Sequence, residues 1–213
     1  MKLLHAADLH IDSPLRGTMT AKLKLNLLEP GIRRDLLQQL SIGFRLRARS
    51  PHGPSHWMRV RRNGLTLSPL TGANPRVVEL FALFHDSCRH GESNDPDHGP
   101  RAGALARELF RRGQLLIDRE ELDLLVAACE GHTHRRTHGD PTIATCWDAD
   151  RLDLPRVGIR VAPHRLCTSQ ARHPDIIFAA QQRALDWIRK ISPIRYPVYC
   201  EEMGVEPVAD FIS

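Results

Sequence analysis

Aromatic residues make up only 5% of the 213-residue chain: six Phe, three Trp and two Tyr. So few π-faces argue against a protein that holds single-stranded nucleic acid by stacking its bases. The five cysteines (Cys88, Cys129, Cys146, Cys167 and Cys200) are odd in number, and no two form a CxxC pair. That speaks against a zinc ribbon or a disulfide framework and fits a reduced, cytoplasmic setting. No apolar run approaches the roughly 20 residues that cross a bilayer, so no membrane partner is expected. The apolar stretch after Lys2 is broken by His5 and Asp8 and does not read as a signal peptide. Internal repeats and low-complexity tracts are missing too, and β-alternation is not evident after residue 45.

What is present is a basic, histidine-rich chain with strong helical signals. Thirty Lys and Arg against 25 Asp and Glu give a net charge of +5, which favours anionic partners such as nucleotides, phosphates or nucleic acid. A hydrophobic content of 41% is enough for a real core, and 12 histidines make metal chemistry worth testing. The basic run from Arg45 to Arg62 reads as a solvated face, with a nucleic-acid footprint as the alternative.

Residues 1–17 read as strand then turn. Leu23, Leu25, Leu27 and Leu28 follow, then a Pro30-Gly31 break and a helical pattern from Ile32 to Leu40. Pro54 opens a helix running to about Leu67, and Asn74 with Pro75 opens another that is apolar almost all round, hence buried. Further helices start at Gly99-Pro100, at Asp118 with Glu121 three residues on (a capping box), and at Asp140-Pro141. A last amphipathic helix spans Pro174 to Lys190, and from Ser192 a loop or partner-docking tail is expected. The expected organisation is an N-terminal appendage (1–45), an all-α metal-binding domain (46–170) and a C-terminal helix and tail (171–213).

Within that domain four groups stand in order: His56, the doublet His85-Asp86 closing the apolar helix, and Asp150. Burying an unpaired carboxylate costs several kcal/mol, so a cation should sit beside Asp86. One metal ion held by two imidazoles and two carboxylates would satisfy all four groups together. Asp148 and Asp150 cannot both face it, because i and i+2 on a helix point about 200° apart. Asp150 is taken as the ligand, with Asp148 and Asp153 in supporting positions.

This order resembles the HD-domain metal-dependent phosphohydrolases. The likeness covers roughly residues 51–168 and is carried by HGPSHWMRVRRNGL, VVELFALFHDSCR, DHGPRAGALARELF, ACEGHTHRRTHGDPT and CWDADRLDLPRVGIR. It implies an all-α HD-type helical bundle in which His56, His85, Asp86 and Asp150 bind the metal. It also implies that His98 and His132 add a second ion. One or two divalent ions (Mn, Mg, Fe, Ni or Zn) would activate water for hydrolysis, with Asp86 orienting that water. Arg151 foremost, then Arg59, Arg62 and Arg89, would hold substrate phosphates. The resemblance thus implies hydrolysis of a phosphorylated small molecule, a nucleotide first among them. The alternatives are a nuclease or phosphodiesterase acting on DNA or RNA, and a non-catalytic module that binds a ligand or partner. A homo-oligomer or a protein partner at the C-terminal tail would fit each. His134 and His138 are expected to be exposed in a polar loop, and His5, His52, His90, His164 and His173 to be ordinary surface residues.

The opening MKLLHAADLHIDSPLRG separately resembles the start of the SbcD-type calcineurin-like exonucleases, whose metal site begins with Asp-x-His. Gly131-His132-Thr133-His134 resembles the motif that closes such sites. The chain has no Gly-Asp-x-x-Asp and no Gly-Asn-His-Asp or Gly-Asn-His-Glu, so Asp8 and His10 are not expected to bind the catalytic metal.

Overall fold

The computed structural model describes residues 28, 30–47 and 49–207. The expected strand and turn at 1–17, with Asp8 and His10, and the leucines at 23, 25 and 27 lie outside the described residues. Within them the chain is all α, and no strand is found. The helices are α1 (Pro30–Gly43), α2 (Pro54–Thr71), α3 (Pro75–Phe84), α4 (His98–Arg111), α5 (Arg119–Gly131), α6 (Pro141–Arg151), α7 (Pro174–Ile191) and α8 (Tyr196–Met203). Two short 3-10 turns, Leu154–Val157 and Pro163–Arg165, separate α6 from α7.

Local chemistry explains three of the helix starts. The Asn74 side chain accepts from the amides of Arg76 and Val77 at the head of α3, with Pro75 in the first turn. Asp118 and Glu121 form a reciprocal capping box on α5, and Asp140 accepts from the amides of Thr142 and Ile143 ahead of α6. Each cap satisfies amides that a helix N-terminus otherwise leaves without partners.

Helix α3 is the axis of the bundle, with nine of its ten residues buried. Glu79 on it is fully buried, and its carboxylate is matched by Arg33 of α1, by Arg61 Nε at 2.7 Å and by the Leu28 amide at 2.9 Å. Helix α1 also places Leu36 and Leu40 in the main core. The part of residues 1–45 that the structure describes is therefore built into the bundle. The reason is ionic as well as apolar, since Arg33 helps neutralise a charge that could not otherwise be buried.

Two glycines set the helix spacing that the site needs. A Cβ at Gly64 would lie 2.3 Å from Val78 Cγ1, and one at Gly99 would lie 2.3 Å from the Cys129 carbonyl oxygen. Glycine thus lets α2 close on α3, and α4 close on the end of α5.

Helix α7 packs over Leu67, Leu152 and Leu166 through Ala180. Past it the chain forms α8 where a loop or docking tail was expected from Ser192. Tyr196, Cys200 and Met203 recur at i, i+4 and i+7 and pack against Leu185 and Ile188, a helical stripe. Pro197 falls in the first turn of α8, where its missing N–H costs no intrahelical bond.

Candidate metal centre

Every donor in the cluster sits at or near a helix end, and those ends meet on one side of the bundle. His56 lies in the first turn of α2, and His85-Asp86 directly follow α3. His98 is the first residue of α4, His132 follows α5, and Asp150 lies in the last turn of α6. All but Asp150 are buried; the Asp150 side chain is 19% exposed, which makes it the open side of the cluster.

Asp86 divides its two carboxylate oxygens between two pairs of imidazoles. Oδ2 lies 3.6 Å from His56 Nε2 and 3.8 Å from His85 Nε2. Oδ1 lies 3.2 Å from His98 Nε2 and 3.9 Å from His132 Nε2. Asp150 Oδ1 joins the first pair, at 3.3 Å from His56 Nε2 and 3.8 Å from His85 Nε2. Two donor sets result, His56–His85–Asp86 and Asp86–His98–His132, and the atoms of each set lie within 4.8 Å of one another.

Acceptors on the outer nitrogens settle the tautomers. His56 Nδ1 donates to Asp153 Oδ2 at 2.7 Å, and His85 Nδ1 donates to the Phe81 and Ala82 carbonyls at 3.1 and 3.2 Å. His132 Nδ1 donates to the Cys129 carbonyl at 2.7 Å, and His98 Nδ1 donates to the Asp95 carbonyl. Carbonyl and carboxylate oxygens only accept, so each Nδ1 carries a proton, and each ring turns Nε2 inward, where a ring without a second proton offers a lone pair. Those Nε2 atoms face one another at 3.0 Å between His56 and His85, and at 2.8 Å between His98 and His132. Without a proton or a cation between them both contacts are repulsive. Burial, against the pull of Asp86 and Asp150, drives the His85 pKa down to about 3, so this ring is neutral near pH 7. Burial lowers His132 as well. For His98, burial is outweighed by the hydrogen bond and charge of Asp86, and its pKa rises. Burial pushes Asp86 and Asp150 upward, yet histidine contacts overcome it and hold both carboxylates well below their usual range. Imidazole Nε2 atoms converging on ionised carboxylates form a donor set suited to a divalent cation, and the residues fit one.

The supporting carboxylates divide as helix geometry requires. Asp153 is fully buried, orients His56 and receives both arms of Arg59, at 2.8 and 3.0 Å. Asp148 faces away from the cluster. It accepts from the Cys167 amide at 2.6 Å and from the Thr168 amide and hydroxyl, each at 2.8 Å, and so closes the loop ahead of α7.

The arginines differ from expectation. Arg151 does not reach toward the cluster with a free fork: its guanidinium donates to the carbonyls of Arg135, Arg136 and Arg165. Two of these carbonyls lie in the turn after α5 and the third in the 3-10 turn Pro163–Arg165. Arg59 is bound to Asp153 and lies 4.5 Å over the Trp187 ring, while Arg62 is exposed on α2. Only Arg89 of the four touches the donor set, with Nη1 3.4 Å from both Asp86 Oδ1 and His98 Nε2.

Two contributors were not singled out from the sequence. His52, expected as a surface residue, donates from Nδ1 to Asp86 Oδ2 at 2.9 Å. Its backbone is fixed by Ser50 Oγ, which accepts from the His52 amide, and by Trp57 Nε1, which donates to its carbonyl. The signal was its place four residues before His56, at the entry to the same helix. The Thr133 hydroxyl lies 3.3 Å from His132 Nε2 and 3.4 Å from His98 Nε2, on an exposed residue.

No protein family, curated protein or solved structure matches the chain. The fold and the site together define a class: an all-α bundle with a buried His/Asp cluster that could hold a metal ion. No helix among the described residues is long and apolar enough to cross a membrane.

Proposed function

We propose that the chain is a metal-dependent phosphohydrolase of the HD type, cleaving a phosphate ester or anhydride of a small molecule, with nucleotides as the leading substrate class. The observation that carries the reading is the division of Asp86 between two histidine pairs whose Nε2 atoms all point inward. The order His56, His85-Asp86, Asp150 on successive helices supports the same reading through its resemblance to that superfamily. His56, His85, Asp86 and Asp150 would hold one cation, and Asp86, His98 and His132 a second. Bound there, divalent ions supply Lewis acidity and lower the pKa of coordinated water.

The chain's own groups do the rest. Asp86 accepts a proton-bearing contact from the attacking water and orients it toward the phosphorus. Asp153 and the α3 carbonyls lock the imidazoles that shape the site. Arg89 offers positive charge to the phosphoryl oxygens, and the Thr133 hydroxyl can donate to one of them from the rim. Substrate enters on the Asp150 side, where the cluster is least buried.

The test is metal analysis of the purified protein, followed by a phosphate-release screen over nucleotides and sugar phosphates with Mn²⁺, Mg²⁺, Ni²⁺ and Zn²⁺. Metal-dependent phosphate release that Asp86→Asn abolishes is the expected result. Cleavage of DNA or RNA with steep salt dependence, but not of mononucleotides, would replace this reading with a nuclease. Folded protein without bound metal and without hydrolysis in any arm would overturn it in favour of a non-catalytic binding module.

A further inference from the structure

Behind the turn that follows Asp86 lies a cavity of about 320 Å³ between the end of α1 and the flank of α4. Three guanidinium-bearing residues, Arg45, Arg89 and Arg101, line it, and no carboxylate-bearing residue does. Leu40, Leu105 and Leu109 add an apolar wall. Arg89 is engaged on all three nitrogens, with the Gly91 and Ser93 carbonyls and with Asp86, while Arg101 spends Nε on the Cys88 carbonyl and Nη2 on Asp95. Arg45 is exposed and has no carboxylate partner among the described residues. The volume falls at the lower end of the range for small-molecule sites, about 300–1,000 Å³, where an apolar lining is combined with a few placed polar groups.

We propose that this cavity binds a small phosphorylated molecule, its anionic group held by Arg45 with Arg101 in the positive field of Arg89, and its apolar part against the leucines. A guanidinium presents a planar fork that matches phosphate oxygens, and a concave cationic wall concentrates anions from solution. Arg89 is common to the cavity and the cation cluster, so an anion drawn to it would weaken its contact with Asp86. The site stands on the cavity and its charges, and it does not require the cluster to be catalytic.

Gly43 makes the test clean. It lines the cavity, and a Cβ built there meets nothing within 4 Å, so a side chain added there starts in open space at the cavity wall. Calorimetric titration of the full chain with phenylphosphonate, which carries a phosphate-like group on an unhydrolysable C–P bond, reads the site directly. Gly43→Glu and Arg45→Glu should each weaken binding at least tenfold with circular dichroism unchanged. Arg119→Glu, on the exposed start of α5, should leave it as it was. Asp150→Asn, in the cluster but neither lining the cavity nor paired with Arg89, should also leave it within about twofold, which separates this site from anion binding at the cation cluster. Undetectable binding at millimolar phenylphosphonate, affinity unchanged from the unmodified protein in the Gly43 and Arg45 variants, or loss in Asp150→Asn alone would each overturn the proposal. For the hydrolysed substrate, a raised KM in Gly43→Trp identifies its own non-reacting part as the occupant. An unchanged KM together with lost phenylphosphonate binding identifies a separate effector, and both results support the site.

Discussion

His56 and His85 face each other Nε2 to Nε2 across 3.0 Å, with both outer nitrogens already donating. Two buried lone pairs at that separation repel, and a divalent cation between them converts the repulsion into two bonds. Adding Mn²⁺ or Zn²⁺ to chelator-treated protein should therefore raise its Tm. Free ion at about 100 times its Kd would add about 2.7 kcal/mol to stability. Scanning calorimetry checks this, and a Tm that ignores every ion tested would remove the case for a cation at this pair.

Asp153 should matter to both folding and metal affinity, although it lies outside the donor set. It holds His56 Nδ1 and both arms of Arg59, so Asp153→Ala leaves a buried arginine without its carboxylate. Breaking a buried pair on one side typically costs about 3–5 kcal/mol, readable as a lower urea midpoint. In Asp153→Asn, metal affinity should fall about 10- to 100-fold through the freed His56 ring. A normal Kd in that variant would show that His56 needs no such support.

Gly99→Ala should separate spacing from chemistry. The added methyl would meet the Cys129 carbonyl oxygen at 2.3 Å, forcing α4 away from α5 at a cost of about 1–3 kcal/mol. His98 and His132 ride on those two helices, so the second cation should be lost before the first. Metal stoichiometry falling from two toward one is the expected result. Retention of two ions would mean that the helices shift without moving the ligands.

Acid should weaken the fold partly through Asp95. The Arg101 hydrogen bond holds its pKa at about 2, against an ordinary value of 3.8. A carboxylate depressed in the folded state stabilises the fold above its unfolded pKa, and that contribution fades as pH falls from about 4 to about 2. Asp95→Asn should therefore lower the urea midpoint at pH 6, and the gap from the unmodified protein should close by pH 2. A gap that persists at pH 2 would assign the effect to lost packing instead.

The parts of this protein that are written locally were legible in its residues. Asn74-Pro75, Asp118 with Glu121, and Asp140-Pro141 announce helix starts because a cap needs only its own next three residues. The all-α class followed from those starts and from the missing β-alternation. The order His56, His85-Asp86, Asp150 also stands in the sequence, and the structure brings these four groups together with His98 and His132. What could not be read was decided by distant partners. Arg151 turns to loop carbonyls 14 to 16 residues away, and His52 meets Asp86 across 34 residues. Arg33 belongs to the core only because Glu79 is buried 46 residues later. Such choices depend on which backbone and charged groups remain unmatched after the helices pack, and no local pattern records that.

The placement of the donor set at the ends of five helices, from His56 to Asp150, gives a bound ion a second effect. It would tie together points nearly a hundred residues apart, as a cross-link does, and the chain would have to release it before the helices could separate. An ion in this position would act as a lock on global opening, lengthening the native lifetime and slowing proteolysis from within the bundle.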